Sequence, residues 1–584
     1  MDIASIMQTG NPGAIQEACD TVRRRAAEVP LTFSALAELT GTIAQIQAHG
    51  AIQVRRQAGI APHPPTPGAG NSVAGLPRYL ADLVDHYPFE LELPAALFNI
   101  TPAASGLIVP LLNYAPIMFP AAGDVTRHVR LMEWLLPGVE AHVHRHAGRE
   151  DAGFLLEKAV STCNMLPLYF ADHNLAPLAK VRARLTTMLL QRLGKPVALD
   201  PPRQVRTGAR RRVGVFRNVF NNASEVAALR AHLLPYDRSR YEITLYALSE
   251  ARDSGEERMK ADFDRFVLLD SEEPDDIVRR LRADELDILL MGKNICGLNN
   301  IPWVVGAHRI APLQIATTLF PITTGLPTFD AYFTGALNES HAAADQYSET
   351  LVLAPGSINV YDFSGPPLSP ASVGLRQRLG LTGSEPVFVS GANLHKITPE
   401  LLAVWSEILS RVPEARLALY PFNRNWSTSY EYSLCATYLY QQFAANGIPK
   451  SRVTLFSTFE TRAAILGLLS EADIYLDSFP FSGAVSIVDP LLCDCPVVAL
   501  EGVSARCRQS AGFLRGLGLD HMVTGTVDDY ITRAVALGLD AGLRAHDAQR
   551  IRTARPPGFP AAPSLSGHFW RAVETLVERS ISRQ

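Results

Sequence analysis

The chain has 584 residues, of which 47% are hydrophobic and 19% charged, a balance typical of globular domains and not of disordered or fibrous proteins. Its 54 Lys and Arg against 58 Asp and Glu give a net charge of -4, and no long basic run offers the surface that nucleic acid or an anionic membrane attracts. Seven scattered cysteines without paired or Cys-x-x-Cys spacing favour a reducing cytoplasm and argue against a structural zinc site.

The sequence predicts an all-α domain over residues 1–205. Apolar residues recur at helical spacing over 1–60 and again over 76–199, and the Pro- and Gly-rich stretch between them predicts a linker-like loop over 61–75. The uncharged segment 93–123 is long enough to cross a bilayer, but its repeated prolines are typical of short buried helices, so we expect no membrane insertion. The N-terminus lacks a positive region followed by an apolar stretch, and no export signal is expected.

From about residue 206 the pattern changes to short β-branched runs that alternate with helical stretches. Strands joined by crossover helices predict parallel sheets covered on both faces. The turn-rich stretch 365–370 interrupts the series, which predicts one Rossmann-like domain over 206–375 and a second over 376–584, ending in a helix near 568–580. The expected strands are 212–216, 241–248, 266–269, 286–291, 313–320 and 331–335 in the first domain, and 386–391, 415–421, 452–457, 473–479, 496–502 and 521–525 in the second.

Ligands of doubly wound sheets bind beyond the carboxyl ends of the strands. Two such sheets that face each other therefore predict a cleft for a substrate that is held at both ends.

Lys396 is the first candidate binding residue. It follows the predicted strand 386–391 and precedes a helix that begins near Pro399. An ammonium group beside a helix N-terminus suits a diphosphate, because the free amides of the helix end also attract anions. A solvated loop lysine is the alternative.

The second candidate is the turn after the strand 473–479. Ser482 and Gly483 are expected to open a helix there, where glycine allows close backbone approach and the helix end offers donors to phosphate. Asp489 then lies within that helix, where its carboxylate could accept hydrogen bonds from two ribose hydroxyls. A surface or capping role is the alternative for Asp489.

Five collinear segments resemble one family of enzymes. The chain from about residue 206 onward resembles the protein glycosyltransferases that comprise nucleocytoplasmic O-GlcNAc transferase and the bacterial cytoplasmic N-glycosyltransferases that modify adhesins. The FPF turn at 479–481 and a helical domain without tetratricopeptide signatures resemble the bacterial branch more. The resemblance implies an α/β fold of GT-B type, with two facing Rossmann-like domains after the all-α domain. The segments are 213–225, 308–325, 344–355, 393–420 and 476–502.

The resemblance also implies roles for single residues. It assigns the donor pyrophosphate to Lys396, the ribose to Asp489 and the phosphate at the helix end to Ser486. Arg462 would lie near the nucleotide, and Asn393 at the edge of the sugar or phosphate. The implied nucleotide-sugar site comprises Thr323, Thr324, Asn393, Lys396, Arg462, Gly483, Ser486 and Asp489.

The chain departs from the family at the expected general base. Where the family has histidines after the first strand, this chain has Asn218 and Ala223, and Phe320-Pro321 replaces a histidine-proline pair. An imidazole base is therefore excluded at those positions. Beside Lys396, Glu225 is the catalytic candidate, and a structural role is its alternative. The carboxylates and imidazole nearby in sequence are Glu225, Asp287 and His308.

The expected function is inverting, metal-independent transfer of a hexose or N-acetylhexosamine from a UDP-sugar to an Asn or Ser/Thr side chain of an acceptor protein, without a cofactor. Three alternatives stay open: an inactive nucleotide-sugar-binding scaffold, a transferase that uses another sugar such as an acidic one on a surface or flagellar protein, and transfer to a small molecule or lipid. Donor sugar, acceptor and oligomeric state are left open by the sequence.

Overall fold

The computed structural model describes most of the chain and divides it into two compact units. The first unit comprises Met1–Leu168, Pro177–Val197 and Gly297–Asn300, and the second comprises Tyr169–Ala176, Ala198–Cys296 and Ile301–Gln584. The described residues are 6, 11–28, 33–48, 50–99, 111–112, 116, 118–199, 204–207, 210–298, 300–317, 319–362, 369–371, 373–422, 432–556, 559 and 566–582.

The first unit is built from amphipathic helices in its described part. In α1, Ile15, Cys19, Val22 and Ala26 recur every three or four residues and are buried, so one stripe of the helix faces the core. The helices are α1 (Pro12–Glu28), α2 (Phe33–Ala48), α3 (Ala51–Gln57), α4 (Leu76–Asp82), α5 (Asp124–Arg145), α6 (Glu150–Thr162) and α7 (Ala176–Arg192).

The uncharged segment 93–123 is described only in part. Its residues 95–99 form a short 3-10 helix, and the prediction for 100–110 lies outside the described residues. Within the described part of the chain, no helix combines the length and the apolar character that crossing a membrane requires.

The second unit begins with a seven-stranded parallel sheet in the order β3-β2-β1-β4-β5-β6-β7. Strand β1 has five buried residues in a row and β4 has four, as expected for strands covered on both faces by helices. Strand β7 was not predicted. The strands are β1 (Arg211–Arg217), β2 (Tyr241–Ala247), β3 (Arg265–Leu268), β4 (Ile288–Met291), β5 (Leu313–Thr317), β6 (Ala331–Gly335) and β7 (Thr350–Ala354), and the helices are α8 (Ser224–Leu233), α9 (Ser254–Asp262), α10 (Pro274–Ala283) and α11 (Ile301–Gly306).

A six-stranded parallel sheet follows in the order β10-β9-β8-β11-β12-β13. Its strands are β8 (Val387–Ser390), β9 (Arg416–Leu419), β10 (Val453–Leu455), β11 (Ile474–Leu476), β12 (Val497–Leu500) and β13 (Val523–Thr524). Its helices are α12 (Leu375–Arg378), α13 (Pro399–Arg411), α14 (Tyr432–Ala445), α15 (Arg462–Ser470), α16 (Val488–Leu492), α17 (Gln509–Gly516), α18 (Val527–Leu539) and α19 (Ala541–Ala554).

The terminal helix α20 (Ser566–Ser582) returns to the first sheet's domain. The indole of Trp570 donates to the carbonyl of Leu233 at 2.9 Å, and Phe569 packs edge-on against Phe333 of β6 with ring centroids 5.2 Å apart. The C-terminal end of the chain thus stabilises the domain that comes earlier in sequence.

Every predicted strand overlaps an observed one, so the predicted pair of doubly wound sheets is confirmed. The strand order reverses between β1 and β4 in the first sheet and between β8 and β11 in the second. Ligands of open parallel sheets bind at such reversals, beyond the carboxyl ends of the strands. The segments that leave these four strands are therefore the places to look for a site.

Candidate functional site

The segment that leaves β8 brings Asn393 and Lys396 to the reversal point of the second sheet. A Cβ on Gly391 would lie 2.4 Å from the Tyr420 ring, so only glycine fits at this exit. Asn393 caps a 3-10 turn by accepting from the amide of His395 at 3.3 Å. Helix α13 then begins at Pro399, as predicted, with the hydroxyl of Thr398 as its N-cap.

Lys396 is a buried side chain and not the solvated lysine of the alternative interpretation. It is 8% exposed, its Nζ donates to the carbonyl of Ser482 at 2.7 Å, and the same atom lies 4.2 Å from the centre of the Phe481 ring. Burial lowers the pKa of Lys396 to about 8, although Asp477 favours the ammonium form. An ammonium group in such surroundings binds an anion more strongly than it would in water.

Asp477, which follows β11, shares this buried site and was not predicted. Its carboxylate accepts from the amide of Gly483 at 3.0 Å and from the hydroxyl of Ser510. Burial raises the pKa of Asp477 to about 6, and Ser510 and Lys396 oppose the rise. The acid therefore holds the turn 481–483 in place and faces the lysine.

The turn that contains Gly483 differs from the prediction in one respect. A Cβ on Gly483 would lie 2.5 Å from Asp477 Oδ1 and 2.6 Å from Ser486 Oγ, which explains the glycine. However, the predicted helix does not open at Ser482. A 3-10 turn begins at Val485 and α16 begins at Val488, and Ala484 before them has a non-helical backbone with φ −107° and ψ −90°.

Arg462 and Asp489 form an ion pair beside this turn. Arg462 is the first residue of α15, and its Nε lies 2.9 Å from Oδ1 of Asp489 in α16. Burial raises the pKa of Asp489, and Arg462 opposes the rise. The structure thus brings together the two residues that the sequence assigned to the nucleotide.

A cavity of about 370 Å³ is lined in part by Thr461 and Ala464, which lie on either side of Arg462 in the sequence. Its lining combines aromatic rings with the residues that precede Arg462. Such a mixture of apolar walls and backbone polar groups is typical of sites for small planar ligands. The lining residues are Val373, Arg378, Phe456, Ser457, Thr458, Phe459, Glu460, Thr461 and Ala464.

The remaining predicted binding residues, Thr323 and Thr324, lie in the first sheet's domain, after β5. Both are 1% exposed, and both hydroxyls donate to the buried carboxylate of Glu349 at 2.5 Å. Their hydroxyls therefore hold the loop to the start of β7. A contact between either residue and a sugar stays a prediction.

Glu225 lies in the first turn of α8, after the carboxyl end of β1, where a base is expected. Its carboxylate accepts from Arg217 at 2.9 Å, and its side chain is 45% exposed. Lys293 follows β4 at the same reversal point, and its pKa is lowered by burial and by Arg217. Lys293 was not predicted from the sequence.

The other two candidates for a base lie elsewhere. Asp287 precedes β4 and His308 precedes β5, so both stand at the amino ends of their strands. Asp287 also accepts from the amides of Arg206 and Arg212, at 2.9 and 2.8 Å. Both positions are structural by this geometry, because the ligand edge of a parallel sheet is the carboxyl edge.

Among the residues that the structure describes, no group of three or more His, Cys, Asp or Glu side chains is arranged to hold a metal ion.

Comparison with known proteins places this geometry in a family. Residues 368–558, which hold the second sheet and its site residues from Asn393 to Asp489, match the sequence model of glycosyl transferase family 41. This chain carries a family 41 glycosyl transferase domain. The predicted resemblance to the protein glycosyltransferase family of O-GlcNAc transferase is thereby confirmed.

Two curated plant proteins resemble this chain in sequence. The probable UDP-N-acetylglucosamine–peptide N-acetylglucosaminyltransferase SPINDLY of Solanum lycopersicum is 30% identical over 268 residues, which are 44% of this chain and 26% of that protein. The protein named SEC of Arabidopsis thaliana, described by the same probable activity, is 26% identical over 365 residues, 61% of this chain and 36% of its own. The chain thus spans about a quarter to a third of the length of these relatives.

A solved structure resembles the whole chain. A mutant O-GlcNAc transferase of Thermobaculum terrenum superposes with a TM-score of 0.58 at 22% identity and covers 97% of this chain and 98% of its own. At this level of identity the likeness establishes the fold, and the predicted GT-B type is confirmed. The predicted preference for the bacterial N-glycosyltransferase branch is not tested by these relatives.

The site residues that the sequence missed are those without a local signal. Asp477 and Phe481 lie in the segment 476–502 that carries the resemblance, but only the fold shows that they meet Lys396 across the reversal point. In the sequence Arg506 resembles an ordinary solvated loop arginine, but in the structure it is buried and only 3% exposed. A lysine directly after a predicted strand was the one signal that could have identified Lys293.

Proposed function

We propose that the chain transfers a sugar from a UDP-sugar to an Asn or Ser/Thr side chain of an acceptor protein, by direct displacement with inversion and without a metal ion. The observation that carries the proposal is the buried ammonium of Lys396 at the reversal point between β8 and β11. A diphosphate placed there meets a cation that is already desolvated and aimed by Ser482 and Phe481.

In this proposal Lys396 stabilises the negative charge that develops on the leaving UDP. Preorganised donors at the site of developing charge are the largest single contribution in many enzymes. Ser486 and Asn393 lie at the same reversal point, and we assign them to the phosphate and to the sugar edge. The electrostatic work that a metal ion performs in other transferases is then done by side chains.

The nucleoside is assigned to the Arg462–Asp489 pair and the cavity beside it. The cavity of about 370 Å³ is lined by Phe456 and Phe459, which suit a flat base. Asp489 then binds the ribose hydroxyls from the edge of the cavity. The family 41 match over this segment supports the assignment.

The acceptor is assigned to the carboxyl edge of the first sheet, where Glu225 is the candidate base. The relatives named as peptide N-acetylglucosaminyltransferases support a protein acceptor. Seven free thiols support a reducing compartment, and we propose the cytoplasm.

A nucleotide-sugar-binding scaffold is the second candidate function. It is favoured by one observation: the Glu225 carboxylate already accepts a hydrogen bond from Arg217 at 2.9 Å, which occupies an oxygen that a base would use to take the acceptor proton. A scaffold binds UDP-sugars but transfers nothing.

Calorimetric titration of UDP, GDP and CMP, and of their sugars, tests the proposal. We expect UDP and one or more UDP-sugars to bind and the other nucleotides to bind at least tenfold more weakly. Equal affinity for all three nucleotides, or binding to none, would contradict the assignment of the cavity.

A further inference from the structure

A short segment outside both sheets lies against the candidate donor site. Residues Tyr169–Ala176, here called the strap, belong to the second unit although the chain on either side of them belongs to the first. Phe170 of the strap is 3% exposed. The strap is separated by more than 200 residues of sequence from the parts of the site that it contacts.

Arg506 fixes the backbone of the strap. Its Nε donates to the carbonyl of Tyr169 at 3.0 Å, and its Nη2 donates to the carbonyls of Ala171 and His173 at 2.5 and 2.7 Å. The guanidinium is 3% exposed, so these bonds form away from water. A planar fork of donors that binds three carbonyls defines one position of the strap.

Asp172 fixes the strap from the other direction. Its carboxylate accepts from the amide of Val503 at 2.6 Å, and from the amide and hydroxyl of Ser504 at 2.9 and 2.6 Å. Burial raises the pKa of Asp172, but the bonds from Ser504 and Val503 outweigh burial and hold the pKa below its ordinary value. The strap is therefore anchored by its own charge as well as by Arg506.

The ring of Phe170 covers the two residues that flank the lysine. It stacks on His395 with centroids 5.9 Å apart and an interplanar angle of 12°, and it lies 6.1 Å from the Phe481 ring. His395 directly precedes Lys396 in the chain, and Phe481 is the ring under the Lys396 Nζ.

A polar route joins the strap to the same lysine. The carbonyl of Arg506 accepts from the amide and the hydroxyl of Ser482, both at 3.1 Å. The carbonyl of Ser482 in turn accepts from Lys396 at 2.7 Å. The residue that holds the strap thus also holds the acceptor of the lysine.

We propose that Phe170 is a positioning residue of the donor site: with the strap, it holds His395 and Phe481 around Lys396, so that the ammonium stays desolvated and aimed at the donor diphosphate. In this proposal Phe170 does not touch the sugar donor itself and acts through His395 and Phe481. The inference rests on the proposed function, because it names what sets the diphosphate-binding lysine in place.

The charge state of Lys396 offers a readout that a merely structural role would not change. Two groups act on the charge of Lys396: Asp477, which follows β11 and favours the ammonium form, and Cys507, which precedes α17. His395 lies next to Lys396 on the same 3-10 turn. Burial is the larger effect and brings the pKa to about 8. Loss of the Phe170 ring admits water, which restores solvation of the ammonium and raises this pKa.

The test is the pH dependence of UDP affinity, measured by calorimetry between pH 7 and 10 for the parent protein, Phe170→Ala and Phe170→Leu. The parent affinity should be level up to about pH 8 and then fall by up to about tenfold per pH unit, as the ammonium is lost. The pH at which the fall begins is here called the bend. In Phe170→Ala the bend should move upward by at least about half a pH unit, and affinity at pH 7 should fall about fivefold, because the lysine is no longer held. Phe170→Leu keeps apolar bulk over the lysine and should keep the parent bend.

Phe569→Ala is the matched control, since Phe569 is 2% exposed in the core of the first sheet's domain. It should lower the melting temperature and leave the bend in place. If Phe170→Ala does not fold, Asp172→Asn loosens the strap from its polar side and should move the bend in the same direction. Folded Phe170→Ala that keeps the parent bend, or folded Asp172→Asn where it replaces Phe170→Ala, would overturn the proposal, whereas a parent protein that binds no UDP would contradict the proposed function itself.

Discussion

The guanidinium of Arg462 binds one oxygen of the Asp489 carboxylate, and the two hydrogen bonds that join the residues, at 2.9 and 2.5 Å, both end on Oδ1. Among the described residues no donor reaches Oδ2. A carboxylate oxygen accepts more than one hydrogen bond, so Oδ2 is available to ribose hydroxyls while the ion pair stays intact. The ion pair and the ribose contact are therefore compatible roles for Asp489.

Replacing Asp489 by asparagine should weaken UDP binding more than it weakens folding. The amide loses the charge that strengthens the hydrogen bonds from ribose, which are worth about 1.5–3 kcal/mol, so the Kd should rise by roughly tenfold to a hundredfold. Calorimetry of UDP binding, with thermal melts of both proteins, measures the two effects.

Asp494→Asn is the control for Asp489→Asn, because Asp494 is also paired with arginines, Arg552 and Arg555. Its UDP affinity should equal that of the parent. An Asp489→Asn protein with parent affinity and a lower melting temperature would reduce Asp489 to a structural acid.

Thr324→Val should destabilise the first sheet's domain. The change removes the hydroxyl that donates to Glu349 and accepts from the amide of Leu326, and a buried group left without its partner costs about 1–3 kcal/mol. Urea unfolding at constant m-value gives the loss, with the exposed Thr350→Val as the control. Unchanged stability together with weaker binding of a UDP-sugar would instead support the predicted contact of Thr324 with the sugar.

Glu225→Gln should lower kcat by about a hundredfold or more and leave the Kd of UDP unchanged, if Glu225 takes the acceptor proton. The acceptor is assigned to the first sheet and the nucleotide to the second, so kcat can change while the Kd of UDP does not. Steady-state kinetics with a protein acceptor gives kcat, and Glu257→Gln, on the exposed face of α9, is the control. Equal turnover of Glu225→Gln and parent would exclude Glu225 and direct attention to Lys293.

Chelation should leave turnover unchanged. In the proposed mechanism the charge on the leaving UDP is stabilised by Lys396 and neighbouring donors, so EDTA removes nothing that the reaction needs. Initial rates with and without EDTA measure this. A loss of turnover that manganese restores would contradict metal independence.

The sequence predicted most of the fold because buried parallel strands have an unambiguous pattern. The run Ile288–Met291 is apolar throughout, Leu313–Thr317 is mostly so, and every residue of both strands is buried. Strand β7 was missed; it lies at the edge of the sheet, and Ala354 alone of its five residues is buried, so it lacks the pattern of a strand covered on both faces. The helix expected at Ser482 begins later because the backbone of Ala484 is not helical, which the sequence around it does not indicate.

The candidate site could be predicted only where the chain itself carries the signal. Lys396 and Asp489 stand out by their places after a strand and within a helix. The strap has no such signal, since Phe170 resembles any apolar residue of a helical region, and its contact with His395 depends on tertiary structure. Thr323 and Thr324 were assigned by resemblance alone, which carries no information on where their hydroxyls point.

Transfer of labelled sugar into protein tests the central claim most directly. The parent protein, Lys396→Ala and Lys450→Ala are each incubated with radiolabelled UDP-sugars and a protein lysate, and labelled protein is counted over time. Lys450 is an exposed lysine above the Tyr440 ring, and its variant should match the parent. We expect the parent to label protein from at least one UDP-sugar and Lys396→Ala to be slower by about a hundredfold or more while remaining folded. Labelling by Lys396→Ala at the parent rate, or no labelling by the parent from any UDP-sugar, would contradict the account.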